Sequence, residues 1–293
     1  MINYRRLQGV DFYQLLEFVG PTHDADIMLP ALTAEQLTSN RDWLYPKYWS
    51  PANNRIVLSM HLNVIKAGSE IVIIDAGCGN FKRRPPSPSQ DNLNTPILDW
   101  LRAIGCPPEK VNHVVLTHLH GDHVGWNTVL RDGRWVPTFP NATYYFPKGD
   151  WDHFSKRFSS GKDPKGFADS VLPIADANLM KLINAGDEVA GVLTSIAAPG
   201  HTPGQLVYTM RAGDETCLFT ADTMHHPIQV LYPHVSSRAC EDTDLAHRTR
   251  ISILEFAADT GCDVLPAHYF GTKGWKISRS PTGFDLKIPV NEF

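Results

Sequence analysis

The chain lacks several features that mark other functional classes. No uninterrupted apolar run approaches the roughly 20 residues of a membrane-spanning helix, so no membrane partner is expected. Lysine and arginine (27) fall short of aspartate and glutamate (31), the net charge is −4, and no basic block stands out. Nothing here would track a phosphate backbone, and no nucleic-acid partner is expected. The five cysteines, Cys78, Cys106, Cys217, Cys240 and Cys262, are scattered and form no C-x-x-C. They read as small buried fillers in a reducing compartment, not as a disulfide framework or a thiolate metal cage. The first twenty residues carry two arginines, but Asp11, Gln14 and Glu17 break the apolar stretch. No secretory leader is read there, and the expected location is cytoplasmic.

What is present is an ordinary globular balance: 293 residues, 42% hydrophobic and 20% charged. That length supports a large α/β core without staples. Residues 1–55 are aromatic-rich (Trp43, Tyr45, Tyr48, Trp49) and interrupted by Pro21, Pro30, Pro46 and Pro51, so they read as irregular. Strands are expected at 56–65, 70–76, 111–116, 142–146, 193–198, 206–210, 216–220 and 263–266. Helices are expected at 95–104, 149–158, 178–184 and 244–260, the last closed by Gly261. Residues 159–175, with two glycines and two prolines, read as a mobile loop. Strands followed by helix recur before residue 160 and after residue 190, which suggests two αβ halves with sheets face to face.

The run His118-Leu119-His120-Gly121-Asp122-His123 dominates the functional reading. Imidazole nitrogen and carboxylate oxygen are the ligands that zinc and similar divalent ions accept. A spacing of two keeps His118 and His120 on one side of an extended segment, leaving Asp122 and His123 to point elsewhere. Three further turns place ligand-type residues just after apolar strands: Gly200-His201-Thr202-Pro203-Gly204, Asp222 with His225 and His226, and His268. Each alone is weak, since a lone His or Asp after a strand more often packs or caps a turn. Together with the six-residue run, and with His225 and His226 left aside, they supply five histidines and two aspartates from four strand ends.

In this order, T-H-x-H-x-D-H-x-G (Thr117–Gly125), G-H-T-x-G (Gly200–Gly204), Asp222 and His268, the chain resembles the metallo-β-lactamase superfamily. The Asp75-Ala76-Gly77 turn fits the same pattern, and the resemblance covers roughly residues 56–270. It implies an α/β fold, a four-layer αβ/βα sandwich with two metals at the open edge of the sheets. Residues 1–293 are then one domain with an N-terminal extension at 1–55 and an insertion near the site at 140–190. It further implies that His118, His120 and His201 bind one divalent ion and that Asp122, His123 and His268 bind a second. Asp222 bridges the two. Zinc is the expected metal, with manganese, iron or cobalt also compatible. Asp75 either orients a ligand through a hydrogen bond or caps its turn.

Such a centre implies hydrolysis by a metal-bridging hydroxide, with Asp122 and Asp222 in catalytic roles. The branch most resembled is that of lactonases and esterases, including acyl-homoserine lactonases; phosphotriester or phosphodiester hydrolysis is the alternative. That branch often carries a tyrosine three residues after the bridging aspartate. Here the position is His225, which either serves as donor or proton shuttle or is merely nearby. Trp151, Phe154 and Phe158 recur at helical spacing, as core or as pocket lining. The N-terminal aromatics either close over an apolar or aromatic small-molecule substrate or form a homodimer interface.

Overall fold

The computed structural model describes residues 1–85, 87–162 and 166–289. Two main sheets carry the architecture. The first orders its strands Ile2–Leu7, Val10–Asp24, Arg55–Ala67, Glu70–Ile74, His113–Val115, Thr143–Pro147 and Met180–Ile183, with Trp49–Ser50 paired to Arg55–Ala67. The second orders Glu188–Val189, Leu193–Ala197, Leu206–Ala212, Glu215–Ala221 and Asp263–Pro266.

Strand periodicity explains the layering. On Glu70–Ile74, Ile71 and Ile73 face the helix Ile97–Ala103, whereas Val72 and Ile74 face the other sheet. Val115 joins Val72 and Ile74 against Tyr208, Phe219 and Leu265 of the second sheet. On the far side, Val207, Leu218 and Val264 pack against Ile253, Leu254 and Ala257 of the helix Thr243–Thr260. Helix, sheet, sheet and helix therefore stack as four layers, as expected. Strands apolar on both faces read as near-continuous hydrophobic runs because both faces are covered.

The N-terminal expectation is corrected. Residues 1–55 are not irregular throughout: Ile2–Leu7 and Val10–Asp24 form a long hairpin that extends the first sheet, with Gly9 at a left-handed φ of 82° in its turn, whereas residues 25–54 hold only short helices and the strand Trp49–Ser50. Pro21 does not break the second strand, because it sits beside a register shift between Pro21 and His23. Two smaller corrections follow the same logic. The expected helix at 178–184 is the strand Met180–Ile183, recruited by parallel pairing with Thr143–Pro147. Within the expected loop at 159–175, residues Phe167–Val171 form a π-helical turn and Leu172–Asp176 a short helix; residues 163–165 lie outside the described residues. No helix among the described residues is long and apolar enough to cross a membrane.

The topology places strand ends together. Glu70–Ile74, His113–Val115 and Thr143–Pro147 run parallel, as do Glu215–Ala221 and Asp263–Pro266. Parallel strands deliver their following turns to one edge, and the ligand-type residues sit there.

Candidate metal centre

The 118–123 run leaves the strand His113–Val115 and turns into the short helix Gly121–Val124. The Asp75–Gly79 turn holds this helix by backbone bonds: Gly125 N–H to the Gly77 carbonyl (2.7 Å), Trp126 N–H to the Ala76 carbonyl (2.6 Å) and Ala76 N–H to the His123 carbonyl (2.6 Å). The approach demands glycine, since a Cβ on Gly125 would lie 1.9 Å from the Cys78 carbonyl. Glu17 braces the turn from the N-terminal hairpin. Its carboxylate accepts Cys78 N–H (2.6 Å), Gly79 N–H (3.1 Å) and the Trp126 indole N–H (2.6 Å). Burial pushes this carboxyl up to about 7 against those three donors.

His201 follows Leu193–Ala197, Asp222 follows Glu215–Ala221 and His268 follows Asp263–Pro266. A register shift between Phe219 and Ala221 precedes Asp222, and Ala221 adopts a left-handed φ of 49°. That bulge re-aims the chain so the next side chain meets the cluster.

All seven expected ligands converge. His120 Nδ1 lies 2.8 Å from His201 Nε2. Asp222 is the hub. Its Oδ2 lies 3.1 Å from His225 Nε2, 3.3 Å from His201 Nε2, 3.4 Å from His268 Nε2 and 3.8 Å from His118 Nε2. Its Oδ1 lies 3.3 Å from His268 Nε2 and 3.5 Å from His123 Nε2. Asp122 Oδ2 lies 3.9 Å from His123 Nε2 and 4.0 Å from His268 Nε2. Among the described residues four triplets have ligand atoms close enough to share an ion: His118–His120–His201, His118–His123–Asp222, Asp122–His123–His268 and His201–Asp222–His225.

The residues fit divalent metal. His118 Nε2, His123 Nε2 and Asp222 Oδ1 are buried and have no hydrogen-bond partner. Orphaned buried polar atoms are costly, and several aimed at one point are what an ion satisfies. The opposite ring nitrogens are fixed: His118 Nδ1 by the Thr117 hydroxyl (3.0 Å), His123 Nδ1 by Asp75 Oδ2 (2.8 Å) and His268 Nδ1 by the Ser59 carbonyl (3.0 Å). This is the outer hydrogen bonding that orients ligating imidazoles. Asp75 also accepts from Thr117 N–H and the Thr117 hydroxyl, both at 2.8 Å, so it both orients a histidine and closes a turn. Burial holds His118 and His201 well below the ordinary imidazole range and His120 at about 4, leaving their lone pairs free. Asp222 is held well below the carboxylate range, because His268 and His123 outweigh its burial.

Several residues at the site carried no sequence signal. Gln90 donates to Asp122 Oδ2 (3.1 Å) from a proline-rich stretch that resembles linker. Cys240 Sγ lies 3.7 Å from His201 Nδ1, although it stands far from every motif. His226 faces away from the cluster and bonds the Tyr48 carbonyl (2.9 Å). A cavity of about 300 Å³ opens above the cluster. Ile27, Met28, Leu58 and Met60 form an aliphatic wall; His23, Gln90, Ser237, Arg238 and His225 are polar. Neither Trp43, Tyr45, Tyr48 nor Trp49 lines it. Trp151, Phe154 and Phe158 belong to the core under the first sheet, with Phe154 also 5.7 Å ring to ring from His120.

Two sheets of this topology, with a cluster of histidines and aspartates at their shared edge, define the class of a metal-dependent hydrolase. The chain belongs to the metallo-beta-lactamase superfamily, whose model matches residues 63–268. It is 26% identical over 178 residues to the uncharacterized protein YobT of Bacillus subtilis, covering 58% of this chain and 67% of that one. It is 28% identical over 137 residues to the N-acyl homoserine lactonase AttM of Agrobacterium fabrum, covering 44% of this chain and 47% of the lactonase. The chain thus spans about half the length of that lactonase. Among solved structures, the hydrolase AbOPH of the beta lactamase superfamily superposes with TM-score 0.80 at 21% identity, covering 99% and 97% of the two chains. The dizinc quorum-quenching lactonase AidC, in complex with a homoserine product, superposes with TM-score 0.79 at 20% identity, covering 100% and 98%. At these identities the structures show the shared fold.

Proposed function

We propose that the protein is a dinuclear metal hydrolase that opens small lactones or cleaves carboxylic esters. One observation carries the reading: a single buried carboxylate, Asp222, faces both histidine groups from the floor of a cavity sized for a small molecule. His118, His120 and His201 would hold one ion, Asp122, His123 and His268 the other, and Asp222 both. Two divalent ions held there, zinc above all, would supply Lewis acidity and lower the pKa of a water. The chain's own groups do the rest. The aliphatic wall of Ile27, Met28, Leu58 and Met60 takes the apolar part of the substrate and excludes water. Gln90 keeps Asp122 turned toward the cluster. His225 lines the cavity beside Asp222 and is placed to hydrogen-bond the substrate or pass a proton to the leaving oxygen. The similarity to N-acyl homoserine lactonases supports a lactone or ester over a phosphoester.

The test is a parallel assay of an aliphatic lactone, an aryl carboxylic ester and an aryl phosphotriester on zinc-loaded protein. The lactone or the ester is expected to show the highest kcat/KM. Preferential turnover of the phosphotriester would move the assignment to phosphotriester hydrolysis, and inertness to all three would overturn the proposal.

A further inference from the structure

His120 and His201 belong to turns on different sheets and lie 81 residues apart, yet their ring nitrogens meet at 2.8 Å. Chain connectivity alone does not set that spacing. Asp150, in the first turn of the helix Lys148–Ser159, lies between the two turns. One oxygen, Oδ2, accepts the backbone N–H of Leu119 (3.1 Å), the residue between His118 and His120, and the hydroxyl of Thr202 (2.9 Å), the residue after His201. The other, Oδ1, accepts the backbone N–H of Gly204 (2.7 Å). The side chain is fully buried. Among the described residues no lysine or arginine hydrogen-bonds it, and burial pushes its carboxyl up to about 6. The two backbones are pressed together here, since a Cβ on Gly204 would lie 2.1 Å from Asp150 N. A buried carboxylate without a counter-cation costs stability. All three of its donors come from the two ligand-bearing turns.

We propose that Asp150 is the positioning residue of the three-histidine half of the centre, setting the distance between the 118–120 turn and the 200–204 turn. This rests on the cluster being a metal centre. A residue that served only to hold the fold would lower stability and affect both halves alike. Asp150 instead bonds the backbone between His118 and His120 and the turn after His201, and none of its hydrogen bonds reaches Asp122, His123 or His268.

The experiment uses the full chain and two metals, zinc and cobalt. Stepwise affinities are measured by competition with a chromophoric chelator, and cobalt absorption reports the geometry of each bound ion. The wild type is expected to bind two ions. Asp150→Ala is expected to weaken one of them about tenfold to a hundredfold, to change the cobalt spectrum of that ion, and to leave the other affinity within about threefold. Asp150→Asn, which keeps one acceptor, is expected to recover part of the loss. Thr202→Val removes a single donor without touching the buried charge, and is expected to weaken the same ion less; it serves if Asp150→Ala does not fold. Equal weakening of both ions, or unchanged affinity in every variant, would overturn the inference while leaving the metal centre intact. Fewer than two ions in the wild type would overturn the reading beneath it.

Discussion

His225 Nε2 stands 3.1 Å from Asp222 Oδ2, nearer than the Nε2 atoms of His201, His268 and His118. This contact is compatible with two jobs, since His201, Asp222 and His225 also form a triplet able to share an ion. A fourth histidine in the first ion's sphere would close a position that catalysis needs open. His225→Ala is therefore expected to retain both metals and to lower kcat about a hundredfold. Elemental analysis beside steady-state kinetics decides it; loss of a metal would make His225 a ligand.

Asp222→Ala has a different expected outcome. It removes the carboxylate shared by both histidine groups, so metal content and turnover are expected to fall together. The variant also leaves His123 and His268 without the carboxylate that, against their burial, raises their proton affinity. Metal analysis of the purified variant, alongside the wild type, checks this.

Removing metal is expected to destabilise the fold. An ion that binds only the native state at about a thousandfold above its Kd contributes about 4 kcal/mol. Thermal unfolding of chelator-treated protein should therefore shift to lower temperature and recover on adding zinc. An unchanged melting temperature after complete removal would contradict it.

Glu17 makes a pH prediction. Its carboxyl is raised from an ordinary 4.5 to about 7 in the folded chain, by burial. A carboxyl raised on folding stabilises fully below its unfolded value, and that share is lost as the pH rises through the folded value. Metal-free wild type should lose stability between about pH 5 and 7 relative to Glu17→Gln, then run parallel to it above. Urea midpoints at intervals across pH 5 to 8 test the sign.

Substrate reach should depend on the aliphatic wall. Ile27→Ala is expected to lower kcat/KM for a hexanoyl ester about tenfold, with an acetyl ester little changed, because only the longer chain buries against that side chain. An equal effect on both esters would place the acyl group elsewhere.

The clustering of these side chains was legible because metal chemistry restricts residue types, and because strand ends in a layered fold share an edge. His118, His120, Asp122, His123, His201, Asp222 and His268 all follow apolar runs, and all meet. What surrounds them was not legible, because their partners are chosen by three-dimensional proximity alone. Gln90 sits in a stretch whose composition reads as linker, Asp150 looks like an ordinary helix-start acid, and Cys240 matches no motif. The N-terminal hairpin was hidden by Pro21, which a register shift accommodates. The aromatic residues near 45 suggested a cover over the site, yet Tyr48 and Trp49 pack into the core beside the second sheet's helix.

The strand Val10–Asp24 does two jobs along its length. Near its middle Glu17 clamps the glycine turn under the ligand helix, and near its end His23 opens into the cavity ahead of Ile27 and Met28. An insertion or deletion in this one ribbon would alter the mouth of the cavity and tug on the metal-bearing helix at once. Divergence in what the enzyme accepts is thereby tied to how firmly the histidine and aspartate cluster is held, and remodelling the entrance without disturbing that cluster calls for changes beyond residue 24.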